Sequence, residues 1–464
     1  MRKVCFIRRV LTMELTDRKP LLFTNKALAL MVIPEMLSGL LAIVAGLVDS
    51  IMVSSAGEAA VSAVSLVDTI NLLFITAIAG MANGGSVVTS QCIGGKDYKR
   101  ACISVNQLFY LATAVAIGLM AVLLCFRNQV LGLVYGQLEA DVFQNASTYF
   151  LFTLLGYPFF AMGASSTSVL RSQRKNRQAV TVVIAMNIFN VIGNAVLIYG
   201  FHMGVAGAAI ATSLSRVLYA GWGMWFAHRK ELPAHFENLL KFRLDKDMLR
   251  RVFRIGITTS TENSLFHLGK VLISGLLASF GTVAIAAYSA SYTINNIGWT
   301  IIIAFGTVML TTVGQCIGAG EIEQAKLNMK KLVGAATVVL LVAFSGIYFF
   351  RGTLARMYDF EPETLKMTAY YTGIGALASL LSLYSFSFTP ASGFRAAGDI
   401  RFTMIFSGAC MFVCRVGMSF VAYWIKPDLG PLCIYIGMWA DWAVRTVVNI
   451  VRFYSGKWIH KRLV

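Results

Sequence analysis

Ionisable and amide side chains inside apolar runs are the residues of this sequence that could do chemistry. A charge at a bilayer centre costs about 2.5–3.5 kcal/mol on insertion scales, so each one there is a default functional candidate. Asp49, in LVDSIM, is the sharpest case. A carboxylate in that setting can take up a proton or a cation and change its hydrogen bonds as it does so. Asn190 and Asn194, in NIFNVIGNAVLIYG, are four residues apart and share one helix face. Amides in a span must find helix partners or a ligand. Thr212 closes the small-residue run GVAGAAIAT. Asp49, Asn190, Asn194 and Thr212 are expected to converge as one hydrated site for a coupling cation.

A second group, Asp68, Glu262, His267 and Asp441, is expected to line a substrate cavity. TENSLFHLGK places Glu262, His267 and Lys270 on one span, which calls for water on one side of it. Glu262 and Lys270 lie about 12 Å apart along an ideal helix, too far for a direct pair. His267 suits a proton relay or a hydrogen-bonded structural role. Asp441 and Arg445, at i and i+4, suit a local ion pair. Glu35 follows Pro34, a kink with a carboxylate facing the inner opening. Arg171 and Arg395 are expected to anchor helix ends or lipid phosphates rather than substrate. There is no P-loop, HExxH or GxSxG, and no Asp-rich motif of a membrane prenyl transferase, so no enzyme is expected. The 8 cysteines, Cys410 and Cys414 included, read as small apolar residues. No metal site, disulfide framework or cofactor is expected beyond a proton or sodium ion.

These residues need membrane helices to hold them. The chain is 57% hydrophobic and 13% charged, where soluble domains carry about 25% charged residues. Its mean hydropathy is +0.68. Spans of about 20 apolar residues fall roughly at 27–53, 60–90, 102–126, 142–167, 178–200, 204–227, 252–279, 283–313, 328–350, 366–391, 402–425 and 430–454. The fold class is therefore an all-α polytopic membrane protein. The net charge of +18 sits in the loops, with about 31 of the 40 Lys and Arg on one side. That places both termini in the cytoplasm and makes lipid headgroups, not nucleic acid, the partner of the charge. The N-terminus lacks the apolar run of a signal peptide, and Met13 is an alternative start. HRKELPAHFENLLKFRLDKD could form an amphipathic surface helix, though simple connection suffices; Asp245 with Met248 and Leu249 marks a helix start.

One unit occurs twice. Thr69-Ile70-Asn71 matches Thr293-Ile294-Asn295, and Gln91-Cys92-Ile93-Gly94 matches Gln315-Cys316-Ile317-Gly318, all 224 residues apart without a gap (65 against 289). Arg171 and Arg395 keep the offset, as do Gly57 and Gly281. Parallel duplicated halves in an apolar chain suggest two lobes around a central cavity. The expected division is a tail 1–26, a first lobe 27–227, a linker 228–251, a second lobe 252–454 and a tail 455–464.

In LVDSIM, QCIGGKDYKRA, the paired Asn190 and Asn194, GVAGAAIAT, GFRAAGDIR and DWAVR before RFYSGKW, the chain resembles the multidrug and toxic compound extrusion (MATE) family. The resemblance covers nearly the whole chain in order. It implies a V-shaped bundle of twelve helices in two six-helix lobes. It also implies proton- or sodium-driven export of organic, mostly cationic and aromatic compounds, by a monomer in a bacterial inner membrane. Asp49 falls on the family's first-span carboxylate, and Asn190, Asn194 and Thr212 on its first-lobe cation site. Asn194 departs from the Asp of many members, which leaves Asp49 as the main charge. A flippase for lipid-linked precursors is the alternative of related architecture.

Overall fold

The computed structural model describes residues 20–136, 139–237, 239, 243–358, 360–381 and 384–459. The expected tail before residue 20, with Met13, lies outside the described residues, as do the last residues of the C-terminal tail.

Among the described residues there is no strand, only helices. The first half holds α1 (Asn25–Ser54), α2 (Glu58–Gly94), α3 (Tyr98–Cys125), α4 (Arg127–Tyr135), α5 (Ala140–Leu155), α6 (Tyr157–Ser172), α7 (Asn176–Asn194) and α8 (Gly204–Ala227). The second holds α9 (Lys246–Ala278), α10 (Thr282–Gly318), α11 (Ile322–Ala355), α12 (Pro362–Leu381), α13 (Tyr384–Ala396), α14 (Ile400–Ala409), α15 (Met418–Ile425) and α16 (Leu432–Tyr454). Short α4 sits between spans. The fourth span is α5 and α6, divided at Gly156, and the tenth is α12 and α13, bent by 57°. The fifth span runs from α7 into a π-helical stretch, Ala195–Gly200, and the eleventh joins α14 to α15 through another, Cys410–Gly417. This gives six spans per half. Among the described residues, seven are continuous helices long and apolar enough to cross a bilayer by themselves. Of the others, α8, α9 and α16 carry Arg216, Glu262 with Lys270, and Asp441 with Arg445, charges that lower their hydropathy.

The repeat is visible in the backbone. α2 and α10 both have 37 residues and begin 224 apart, at 58 and 282. Gly57 and Gly281 precede them with φ of 101° and 85°. The strongest sequence match, QCIG, lies where the halves meet. Gln91 donates from Nε2 to the Ala396 carbonyl (2.8 Å), and Gln315 donates to the Ser172 carbonyl (2.7 Å). These bonds are the same contact related by the repeat. Gly94 packs on the backbone of Gln315, and Gly318 on that of Gln91. A Cβ at either glycine would overlap a carbonyl that cannot rotate away. Gly94→Val is therefore expected to cost at least the ~1–3 kcal/mol of an overpacked core and to lower the melting midpoint in detergent. Gly46→Ala, where the new Cβ meets nothing within 4 Å, is expected to melt like the parent.

The opening helix of each half crosses between the lobes. Leu28, Met31 and Val32 of α1 pack into the second half's core beside Phe305 and Met309, whereas Val53 at its other end packs with Ala60 and Val64. Likewise Met248, Val252 and Ile255 of α9 pack with Val88 and Leu108, and Ile273 and Leu277 pack with Met411 and Ile434. α2 and α9 approach closely through small residues. A Cβ on Gly84 would sit 3.0 Å from the Gly256 Cα. α10 is the interior strut, most of it buried, whereas α7 with its π stretch lies largely exposed on the outside of the bundle.

The linker forms no surface helix among its described residues; helix resumes at Lys246, earlier than expected. The segment is strapped onto the membrane helices instead. Gln173 exchanges two hydrogen bonds with the Ala234 backbone, and Asn106 bonds the Glu237 backbone. Phe236 is buried beneath it. Asp245 caps α9 as its spacing suggests, accepting from the Met248 amide at 2.9 Å.

Candidate functional site

The first-lobe residues come together in two pairs on successive turns of α7. Asn194, the last residue before the helix widens into its π stretch, is 0% exposed. Its Nδ2 donates to Asp49 Oδ1, from the final turns of α1. Its amide oxygen is buried with no partner among the described residues. Asn190 donates to Thr212 Oγ1 of α8 at 3.3 Å. Buried polar groups in folded proteins are nearly always satisfied. An orphaned acceptor next to a carboxylate is thus a place where a cation would restore the balance.

Asp68 does not line the central cavity and belongs to a separate buried network. It accepts from Tyr149 OH (3.2 Å) and Asn71 Nδ2 (3.4 Å). Asn71 in turn accepts from Tyr157 OH (2.8 Å), and Arg216 donates to the Thr153 carbonyl (2.8 Å). Asn71 was legible only as part of the repeated TIN. Arg216 carried no sequence signal beyond a charge inside a span, and Tyr149 and Tyr157 carried none.

Between the lobes lies a cavity of about 360 Å³. Both halves line it, with Asn83 and Arg171 from the first and Glu262, His267, Trp299 and Arg395 from the second. Of the expected cavity residues, Glu262 and His267 are here. Glu262 Oε1 accepts from Arg395 Nη1 and from Ser407 Oγ, both at 2.9 Å. Arg171 makes a two-pronged pair with Glu35 (2.8 and 3.2 Å), which also accepts from Asn176. So the two equivalent arginines are not lipid anchors. Each faces the cavity and holds an acid, Glu35 on α1 or Glu262 on α9, at positions one helical turn apart in the repeat. Glu35 is 8% exposed, so it does not front an open mouth.

Asp441 is also displaced from its expected place. It is 0% exposed and stands behind Arg445, which does line the cavity. Its local partner is Arg445 (2.6 Å), and Arg415 closes the other side at 2.7 Å. The inner polar groups of the lobes therefore differ in sign. The first lobe has Glu35, Asp49 and Asp68 against Arg171 and Arg216; the second has Glu262 and Asp441 against Lys270, Arg395, Arg415 and Arg445.

One possible metal-ligand cluster lies away from these sites, under the linker. Ligand atoms of Cys102, His235 and Glu237 fall within 4.8 Å of one another. Both His235 ring nitrogens already have neighbours, Nδ1 the Leu232 carbonyl at 3.1 Å and Nε2 Glu237 at 3.8 Å. The geometry is accounted for without an ion. The cysteines among the described residues are free thiols.

Two related helical lobes, a cavity between them, and a secluded carboxylate–amide pair in one lobe define a membrane transporter. The MatE family model matches the chain twice, over residues 34–196 and 259–421. The chain belongs to the MatE family, whose model falls once on each half, starting 225 residues apart. It is 26% identical to an uncharacterized transporter, YisQ, of Bacillus subtilis, over 90% of this chain and 91% of that protein. It is 24% identical to the probable multidrug resistance protein NorM of Thermotoga maritima, over 95% and 94%. A solved structure described as the outward-facing conformation of a multidrug resistance MATE family transporter superimposes with a TM-score of 0.85 at 18% identity, covering 93% and 96%. The fold expected from the sequence, twelve spans in two pseudo-symmetric lobes, is the fold of this family.

Proposed function

We propose that this protein exports small organic, aromatic compounds across the plasma membrane by alternating access, in exchange for a proton or sodium ion bound in the first lobe. The observation that carries this reading is the separation of two sites. The Asp49–Asn194 pair, with its unsatisfied amide oxygen, is apart from the aromatic-walled cavity between the lobes. Binding of the coupling ion at Asp49 neutralises that group and changes its bond to Asn194. Coupling then needs only that ion and substrate prefer different lobe arrangements. The relatives' names support multidrug efflux. The cavity volume falls within the range for drug-sized ligands, roughly 300–1,000 Å³, and gives little room to a lipid-linked sugar. The basic loops support cytoplasmic termini, and a monomer contains every residue invoked. With Asn at 194, Asp49 is the only acid of the four-residue site, which favours a proton over sodium.

Asp441 lends no support to the expected preference for cations. It is enclosed by two arginines, whereas Glu262 pairs with Arg395 through Oε1 only and its Oε2 is buried without a partner among the described residues, so Glu262 alone still offers the cavity a carboxylate oxygen. The test is uphill dye movement by purified protein in vesicles, with ethidium and fluorescein, under a proton or a sodium gradient imposed separately. Uphill export of either dye under one of the gradients is expected. Movement of both dyes only down their own gradients would overturn the reading in favour of a passive pore.

A further inference from the structure

Beside the central cavity, inside the second lobe, is a smaller pocket of about 50 Å³. Phe266 and Trp299 line both spaces and form the wall between them. Their rings stack at 5.4 Å with an interplanar angle of 7°, and Phe388 presents its edge to both. Lys270, from α9, enters the small pocket. Its Nζ lies 5.0 Å from the Phe266 ring centre, 5.5 Å from Tyr292 and 5.9 Å from Trp299.

Lys270 differs from the other cations lining these two spaces. Arg171, Arg395, Arg415 and Arg445 each pair with an acid. Among the described residues, Lys270 has no carboxylate within ion-pair reach and is left to aromatic faces. Aromatic faces attract an ammonium but leave its hydrogen-bond donors unused. Asp441, a buried acid of the same lobe, is shared by two arginines, so that trio itself carries a net positive charge. A second, independent signal comes from Trp442, which lines the same pocket. Its indole N–H is buried with no partner, and that group can only donate. Asn295 adds an unpartnered amide oxygen, which fits a hydroxyl next to the charged group.

The repeat sharpens the contrast. Lys270 corresponds to Gly46 of the first half, and Tyr292 to Asp68. The duplicated scaffold carries an acid at one of these positions in the first lobe and an ammonium at the other in the second.

We propose that this pocket binds the anionic group, a carboxylate or sulfonate, of an amphipathic aromatic substrate whose rings lie on the Phe266–Trp299 pair and extend into the central cavity. The volume suits such a group and not a whole substrate, since a single water needs about 10–15 Å³ of such space. This assignment rests on the export reading above and narrows its substrate class.

The test compares fluorescein with rhodamine 6G, which share a xanthene ring system and differ in charge. Binding to the purified full-length protein in neutral detergent is followed by fluorescence polarisation. Fluorescein is expected to bind the tighter of the two. Lys270→Gln should lower the fluorescein-to-rhodamine affinity ratio by about tenfold or more, Lys270→Arg should largely preserve it, and Trp442→Phe should lower it by about threefold. A ratio that favours rhodamine 6G in the parent protein, or that ignores Lys270→Gln, overturns the assignment. Competition by phosphatidylglycerol that abolishes fluorescein binding gives the pocket to a lipid headgroup and also overturns it. The two readings fail separately. Uphill dye export with a ratio indifferent to Lys270 sinks this assignment alone. A Lys270-dependent ratio with no uphill transport sinks export alone.

Discussion

Asp49→Asn is expected to reduce gradient-driven efflux to the level of empty vesicles while leaving dye binding in the central cavity intact. The substitution keeps the shape of the side chain and a hydrogen-bonding oxygen for Asn194. It removes the one charge of the first-lobe site. With an amide at 49, uptake of a proton or sodium ion no longer neutralises anything, so the ion cannot prefer one lobe arrangement over another. An ion with equal affinity for both states shifts nothing, however tightly it binds. Asp49 is not among the residues that line the cavity, which is why binding and coupling should separate. The measurement is initial efflux rate in vesicles against dye affinity in detergent. Coupled efflux at the parental rate by this variant would refute the first-lobe coupling site. Asn194→Ala should fall between the two, because the charge remains and only its partner is lost.

The scaffold was legible because it is written in local pattern. Hydropathy marks the spans, the 224-residue offset marks the two halves, and Asp245 marks a helix start by its own spacing. Asn190 and Asn194 share a face by arithmetic alone. The ion pairs were not legible. Arg171 and Glu35 are 136 residues apart, and Arg395 and Glu262 are 133 apart; no periodicity connects them. For Asp441 the i+4 partner could be read, and Arg415 could not, because it arrives from another helix. Nor could hydropathy say that α1 and α9 start against the opposite lobe, since lipid and protein interior are equally apolar neighbours. QCIG had a signal whose meaning was spatial. Its Gln and Gly repeat because each half presents the same surface to the other at one contact.

That separation between a symmetric frame and asymmetric charges bears on what the charges do for stability. The paired bonds of the pseudo-symmetric contact are made by neutral amides, and the second lobe's Arg415–Asp441–Arg445 trio has no equivalent in the first. That trio is deeply enclosed. Asp441→Asn should be among the most destabilising single substitutions in the chain. Asp441 is fully buried and holds Arg445 at 2.6 Å and Arg415 at 2.7 Å. Replacing its charge leaves two guanidinium groups facing each other across a neutral amide, away from water. Removing one partner of a buried pair costs about 3–5 kcal/mol, and here two cations lose the same anion. The expected result is a protein that accumulates poorly or melts well below the parent by size exclusion after heating. Replacing all three, Arg415→Met, Asp441→Leu and Arg445→Met, should recover much of that loss, because no uncompensated charge remains. It should not recover transport, since Arg445 lines the cavity. A single variant that melts with the parent would mean that water reaches the trio, and that its charges are solvated rather than bound to one another.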